Sequence, residues 1–182
     1  LPPALSPEPA LVVASVLGRD LEAASSAIQA FAQLFGRLAY TSEPIAFGWT
    51  DHYRAELGER PVRRFVALRD PMDPSELPRL KRATTRMEVT LARPGKPREV
   101  NVDPGVLNAH QLVLASTKPR GHRIYLGQGI FADLMLLWEQ DRFRALPWTY
   151  PDYADDGVRE LFGRMRQLHL VTRRLRAEAC SR

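Results

Sequence analysis

Near the start of the chain, Leu11-Val12-Val13-Ala14-Ser15-Val16-Leu17 forms an apolar run closed by Gly18. Such a run suits a buried central strand, because both of its faces need cover. The rest of the chain has to build a sheet around it.

The following segments supply candidates. Asp20 can cap a helix whose face is Leu21, Ile28, Phe31, Leu34 and Phe35, and Gly36 supplies the stop. Arg37 to Phe47 reads as a second strand; Pro44 interrupts it and places it at an edge. Trp49 to Pro61 is a polar, aromatic connection holding Trp49-Thr50-Asp51-His52-Tyr53. At ~12 residues it is long for a hairpin, and long loops are often functional or mobile. Val62 to Leu68 reads as the third strand.

Asp73-Pro74-Ser75-Glu76 is the clearest local signal. Asp73 accepts from free helix N–H groups, Pro74 pre-sets the first turn, and Glu76 can reach back to the cap. Leu77, Leu80, Thr84, Met87 and Leu91 then recur at a spacing that only a helix puts on one face. Pro94-Gly95 ends it, and Glu99 to Asp103 alternates as a fourth strand.

The order βαββαβ commonly makes a ferredoxin-like sandwich, with two helices on one face of an antiparallel sheet. Beyond it, Leu112–Ser116 and His122–Leu126 read as a hairpin across Lys118-Pro119-Arg120-Gly121. Ile130 to Trp138 is a strand apolar on both sides except at Asp133, and Arg142 to Leu146 pairs back onto it. A last helix starts near Asp155 or Asp156, with Val158, Leu161, Phe162, Met165, Leu168 and Leu175 as its apolar stripe and arginines opposite. The expected class is α+β: a ferredoxin-like βαββαβ core with additional antiparallel strands and a C-terminal helix. One domain is expected over 11–178, with a flexible arm over 1–10 and a tail over 179–182.

Charge adds a constraint. Net charge is +5, and residues 159–182 hold seven arginines against Glu160 and Glu178, so the remainder is near neutral. Arginine outnumbers lysine 23 to 3, which reads as base composition, with Lys81, Lys96 and Lys118 as the exceptions. No run approaches the ~20 apolar residues of a membrane span. Leu1 to Pro9 reads as a loose Pro-rich arm rather than a signal peptide. With Cys180 as the only cysteine, no intrachain disulfide forms, and the default location is cytoplasmic.

Several runs together resemble a known family. They are Asn101-Val102-Asp103-Pro104-Gly105, Leu112 to Lys118, His122 to Ala132, and Leu146 to Tyr153. Phe47, Thr50, Tyr53 and Glu56-Leu57-Gly58 fit the same pattern. Over roughly Leu11 to Leu168 the chain resembles the bacterial family called domain of unknown function forty-four sixteen, some of whose members carry the label GTP-binding protein. Val106, where that family has an aromatic, and the Pro119-Arg120-Gly121 turn depart from it. The label finds no support in the residues. No G-x-x-x-x-G-K-[ST] exists, and Gly95-Lys96, the only Gly-Lys pair, precedes a proline and follows a helix. An Asn-Lys-x-Asp run is also absent.

The chemistry therefore rests on individual residues. Ser116, Thr117, Lys118, His122 and Arg123 flank one turn, and phosphates or carboxylates suit such a set. Strand alternation sends His122 and Arg123 to opposite faces if both are in strand. Asp103-Pro104-Gly105 has turn chemistry, or else Asp103 is a carboxylate at a strand end, with Asn101 pointing the same way. Asp103, His110, His122 and Asp133 are the natural metal candidates, but none has ligand spacing and no metal is expected. His52 and His169 read as surface or boundary groups. A nucleophile is not expected: Cys180 has no positioned base, and no G-x-S-x-G elbow occurs. Trp148, Tyr150 and Tyr153 could stack on a base or sugar, or clamp a crossover onto the sheet, and Asp51 and Tyr53 could meet them. Arg159, Arg166, Arg173, Arg174 and Arg176 could contact phosphates or form a solvated face; no nucleic-acid-reading motif accompanies them.

The resulting expectation is a small anionic ligand, phosphate-bearing or nucleotide-like. Its binding set is Asn101, Ser116, Thr117, Lys118, Arg123, Tyr125, Tyr150 and Asp152. If the ligand is turned over, His122 or Asp103 acts as general acid or base, and Lys118 with Arg123 stabilises negative charge. The alternative is a non-catalytic RNA- or protein-binding module using the arginine face of the last helix. No membrane partner is expected, and neither a cofactor nor an oligomeric state follows from the residues.

Overall fold

The computed structural model describes residues 6–50 and 53–180, for Cys180 the backbone alone. The apolar run forms β1 (Leu11–Gly18), and every residue of it is buried. It pairs antiparallel with β4 (Val62–Leu68) on one side and β5 (Val100–Leu107) on the other. β2 (Leu38–Thr41) and the short β3 (Ile45–Ala46) both pair with β4, so the segment broken at Pro44 lies at the sheet's edge. Past β5 come β6 (Gln111–Ser116), β7 (Ile124–Gly127), β8 (Ile130–Glu139) and β9 (Arg142–Ala145). One nine-stranded sheet results among the described residues, in the order β2-β4-β1-β5-β6-β8-β7, with β9 on β8. Every strand pairing in it is antiparallel. Helices and antiparallel sheet together make the class α+β.

Strand alternation divides β1 between two cores. Val12, Ala14 and Val16 face α1 (Leu21–Phe35) and α3 (Leu77–Leu91), meeting Ala27, Phe31, Leu80 and Met87. Leu11 and Val13 face the other side, where Phe162 and Met165 of α5 (Asp156–Cys180) pack with Phe65, Leu112 and Met135. The short α2 (Arg54–Leu57) and α4 (Pro151–Ala154) lie in the long connections.

Local chemistry explains the helix starts. Asp20 accepts from the Ala23 N–H at 2.8 Å, and Gly36 ends α1 at φ 113°. Asp73 accepts from the Ser75 N–H at 2.8 Å and opens a single 3-10 turn, Pro74–Glu76, that feeds α3. Glu76 does not reach back to that cap; it turns outward to Arg79.

Two expectations need correction. Asp103-Pro104-Gly105 is no turn: it lies inside β5, which pairs with β1 over eight consecutive residues. Pairing on two sides overrides turn chemistry. Pro104 sits one residue outside the β5–β6 ladder, which begins at Gly105, and a Cβ on Gly105 would come 2.6 Å from the Val113 carbonyl oxygen. Second, β6 and β7 are not a hairpin. β8 lies between them and pairs with both, because its two apolar faces need a central position. Ala10 is buried and bridges to Met72, and α5 continues through residue 180. Residues 1–5 of the arm and 181–182 of the tail lie outside the described residues.

Candidate functional site

Since β8 separates β6 from β7, the turn over residues 117–123 has to pass across the end of β8. It forms the roof of a cleft whose floor is β5 and whose wall is α3.

The floor is tightly tied. Lys81 of α3 reaches Asp103 Oδ1 at 2.8 Å and the Val102 carbonyl at 3.1 Å. Asn101 donates to Asp103 Oδ2 at 2.7 Å. Burial opposes ionisation of Asp103, but Lys81, Asn101 and Arg63 outweigh it and hold the carboxyl below its ordinary value. Two helical turns on, the buried Glu88 accepts from the Val102 N–H at 2.7 Å and pairs with Arg98 at 3.1 Å. Here burial dominates and pushes the carboxyl above its ordinary range.

The roof centres on Asp133 of β8, which is 1% exposed. Arg123 donates to its Oδ2 at 2.8 Å, and also to Ser116 Oγ at 2.8 Å, the Lys118 carbonyl at 2.7 Å and the Tyr150 hydroxyl. His122 Nε2 lies 3.3 Å from Asp133 Oδ1, but the directions are wrong for a hydrogen bond and both atoms stay without one. The His122 ring stacks on Trp148 at 5.1 Å. β7 begins only at Ile124, so His122 and Arg123 are turn residues and strand alternation does not separate them.

The crossover after β9 is both clamp and wall. Trp148 Nε1 donates to the Leu134 carbonyl at 2.8 Å and Thr149 Oγ1 to that of Met135 at 2.6 Å. Tyr150 is thereby fixed at the cleft's mouth. Behind it the buried Asp152 pairs with Arg63, whose guanidinium lies 4.4 Å from the Phe47 ring and 5.7 Å from that of Tyr153. Arg63 Nε makes no hydrogen bond.

The cleft has two chambers. The inner, about 170 Å³, is lined by Lys81, Thr85, Glu88, Arg98, Asn101, Ser116, Thr117 and Asp133. The outer, about 730 Å³, is lined by Phe47, Trp49, Arg63, Arg120, His122, Arg123, Asp152 and Tyr153. Tyr53, Asp103, Lys118 and Tyr150 border both. Burial, then the Asp103 charge, pushes the Tyr53 hydroxyl up to about 12, so it stays protonated and can donate.

Asn101, Asp103, Ser116, Thr117, Lys118, His122, Arg123, Tyr150 and Asp152 therefore converge on one cleft. Tyr125 does not: it lies on the edge strand β7, 60% exposed, against Phe131. His110 is exposed in the β5–β6 turn. His169, expected at the surface or boundary, is buried, and its pKa is lowered by that burial and by Arg173 and Arg166. Asp51 and His52 lie outside the described residues. Among the described residues no three of His, Cys, Asp and Glu gather so as to hold a metal ion, and no helix is long and apolar enough to cross a membrane.

Sequence reasoning missed Lys81, Thr85, Glu88, Arg98 and Arg63. A signal existed for three of them. Lys81, Thr85 and Glu88, with the buried Thr84, stand at i, i+4, i+7 and i+3 of α3, a polar stripe beside the apolar one. Lys81 was also one of only three lysines in an arginine-rich chain. Nothing local marked Arg63 or Arg98.

Comparison with known proteins adds one finding. Residues 8–169 match the family described as Domain of unknown function (DUF4416), and the chain belongs to that family. No curated protein and no solved structure matches it.

Proposed function

We propose that this family member binds a small anionic ligand, phosphate-bearing or nucleotide-like, in the two-chambered cleft. One observation carries the reading: side chains from α3, β4, β5, the 117–123 turn and the α4 crossover converge there, and four cations line the outer chamber. They are Arg63, Lys118, Arg120 and Arg123; Arg63 is paired with Asp152 and Arg123 with Asp133. Phe47, Trp49 and three tyrosines line the same space and suit a planar group. Of the two candidate proton-transfer groups, His122 fits better. Asp103 is committed to Lys81 and Asn101, and a carboxylate held below its ordinary pKa is a weak base.

The test is a thermal-shift screen against nucleotides and phosphorylated metabolites, with Lys118→Ala and Arg120→Ala as controls. A ligand at 100 times its Kd stabilises by about 2.7 kcal/mol, which raises the melting temperature of a chain this size by roughly 5–10 °C. Both substitutions should shrink the shift. No shift with any compound, or undiminished shifts in both variants, rejects the reading.

The RNA- or protein-binding alternative is less favoured. Arg159 donates to the Ala154 and Phe143 carbonyls, and Arg166 to that of Ala109 while lying 3.9 Å over the Trp138 ring. Arg173, Arg174 and Arg176 pair with Glu8, Glu178 and Asp70. We also read β1-α1-β2-β4-α3-β5 as a ferredoxin-like unit extended by β6 to β9. The order β2-β4-β1-β5, antiparallel throughout with α1 and α3 on one face, supports it.

A further inference from the structure

The chain has three tryptophans, and the fold uses two of them. Trp138 meets Phe143 edge-on at 5.1 Å and lies under the Arg166 guanidinium. Trp148 donates to the Leu134 carbonyl and stacks on His122. Trp49 does neither. It is 48% exposed, and among the described residues it has no hydrogen-bond partner and no ring partner. An indole left half in water forgoes much of the burial by which such a side chain stabilises a fold.

Its position is specific. Trp49 follows β3 on the long connection and lines the outer chamber. The other rings of that chamber have protein neighbours. Phe47 and Tyr153 are buried, with the Arg63 guanidinium against both. Tyr53 packs edge-on against Phe47. Tyr150 is exposed in part, but its hydroxyl is held by Arg123. Among the described lining residues, Trp49 is the ring whose faces no neighbour takes.

The polar groups around this chamber are largely committed to one another. Arg63 pairs with Asp152, and Arg123 with Asp133, Ser116 and Tyr150. A sugar enclosed there needs donors and acceptors for its hydroxyls, and hydroxyls left unpaired out of water are costly. A nucleobase needs a π face, and aromatic stacking accepts any base.

Resting on the ligand reading above, we propose that Trp49 is the stacking platform for a nucleobase, so that the anionic ligand is a nucleotide rather than a sugar phosphate.

Calorimetric and fluorescence titration with three probes tests this. Adenosine 5′-monophosphate and uridine 5′-monophosphate carry a purine and a pyrimidine, and ribose 5-phosphate carries the same sugar and phosphate with no base. At least one nucleotide should bind ~5-fold or more tighter than ribose 5-phosphate, the lower end of what one base–aromatic stack contributes. That nucleotide should quench tryptophan emission, and the quenching should vanish in Trp49→Leu. The leucine variant should lose the nucleotide's advantage and bind ribose 5-phosphate as the parent does, and Trp49→Phe, which keeps a π face, should recover most of the advantage. The exposure of Trp49 lets both variants fold. If ribose 5-phosphate binds as tightly as both nucleotides, or Trp49→Leu keeps the nucleotide affinity of the parent, the stacking role is wrong while phosphate binding stands. If none of the phosphorylated probes binds, the ligand reading itself fails.

Discussion

Arg123, the last residue of the roof turn, holds Asp133 of β8: its Nε lies 2.8 Å from a carboxylate that is almost wholly buried. The same guanidinium ties Ser116, the Lys118 carbonyl and Tyr150. One fork thus fixes both ends of the cleft's roof and its neighbouring wall. Only a planar, multi-donor cation can make that set of bonds.

Arg123→Lys should therefore behave as a drastic change. Keeping the charge but losing the fork leaves Asp133 underbonded, at a cost of about 2 kcal/mol or more. Urea unfolding gives the loss, and amide exchange across residues 117–122 should quicken beyond the global change. A lysine variant as stable and as slow to exchange as the parent would show that the network is dispensable.

How far this was legible in the sequence varies with the range of the interactions. β1, the α1 and α3 caps and the α5 stripe follow from local pattern, so they could be read directly. The fate of Asp103-Pro104-Gly105 could not. Its residue types favour a turn, and pairing with β1, distant in the chain, together with β6 keeps it extended. The β6–β7 pairing failed for a related reason: strand neighbours in sequence are separated by β8, whose claim on both comes from its apolar faces. Arg63 joined the site through Asp152, across 89 positions of chain, a link no local pattern encodes.

Asp103 makes acid stability diagnostic. Its folded pKa is below the ordinary 3.8, so its contribution is complete above that value and is lost as pH falls through the depressed one. Asp103→Asn should be less stable than the parent at neutral pH, and the gap in melting temperature should close on strong acidification. A gap that stays constant to the acid end would place the effect in packing instead.

Glu88 should show the opposite sign. Its folded pKa lies above the ordinary 4.5, so the folded state holds the proton more tightly and stability falls as pH rises through that window. Relative to Glu88→Gln, the parent should lose stability between pH 4.5 and neutrality. Parallel pH profiles for the two proteins would remove burial as the governing effect.

Arg63 and Asp152 form a buried pair among aromatic rings. Removing one partner strands the other: Arg63→Met should cost about 3–5 kcal/mol, and adding Asp152→Leu should restore a good part of it. Chemical denaturation of the single and double variants measures the recovery. No recovery in the double variant would mean that stacking on Phe47, rather than charge pairing, dominates.

Gly105 and Gly121 offer a steric contrast within the site region. Alanine at Gly105 forces a methyl to 2.6 Å from the Val113 carbonyl oxygen, and the strands must part. The expected cost is about 1–3 kcal/mol or a failure to fold. Gly121→Ala meets nothing within 4 Å and should stay within roughly 0.5 kcal/mol of the parent. Equal stability of the two variants would contradict the close approach of β5 to β6.

The insertion of β8 between β6 and β7 has one more consequence. The roof turn is anchored on strands two places apart, ~10 Å in the pairing direction. Its length is not dictated by hairpin geometry, as it would be between adjacent strands. Doubling such a loop costs only ~0.6 kcal/mol in closure entropy. The outer chamber can therefore be enlarged or recoloured by insertions there while β6, β8 and β7 keep their register. Within this architecture, the roof is the cheapest place to evolve a different ligand preference.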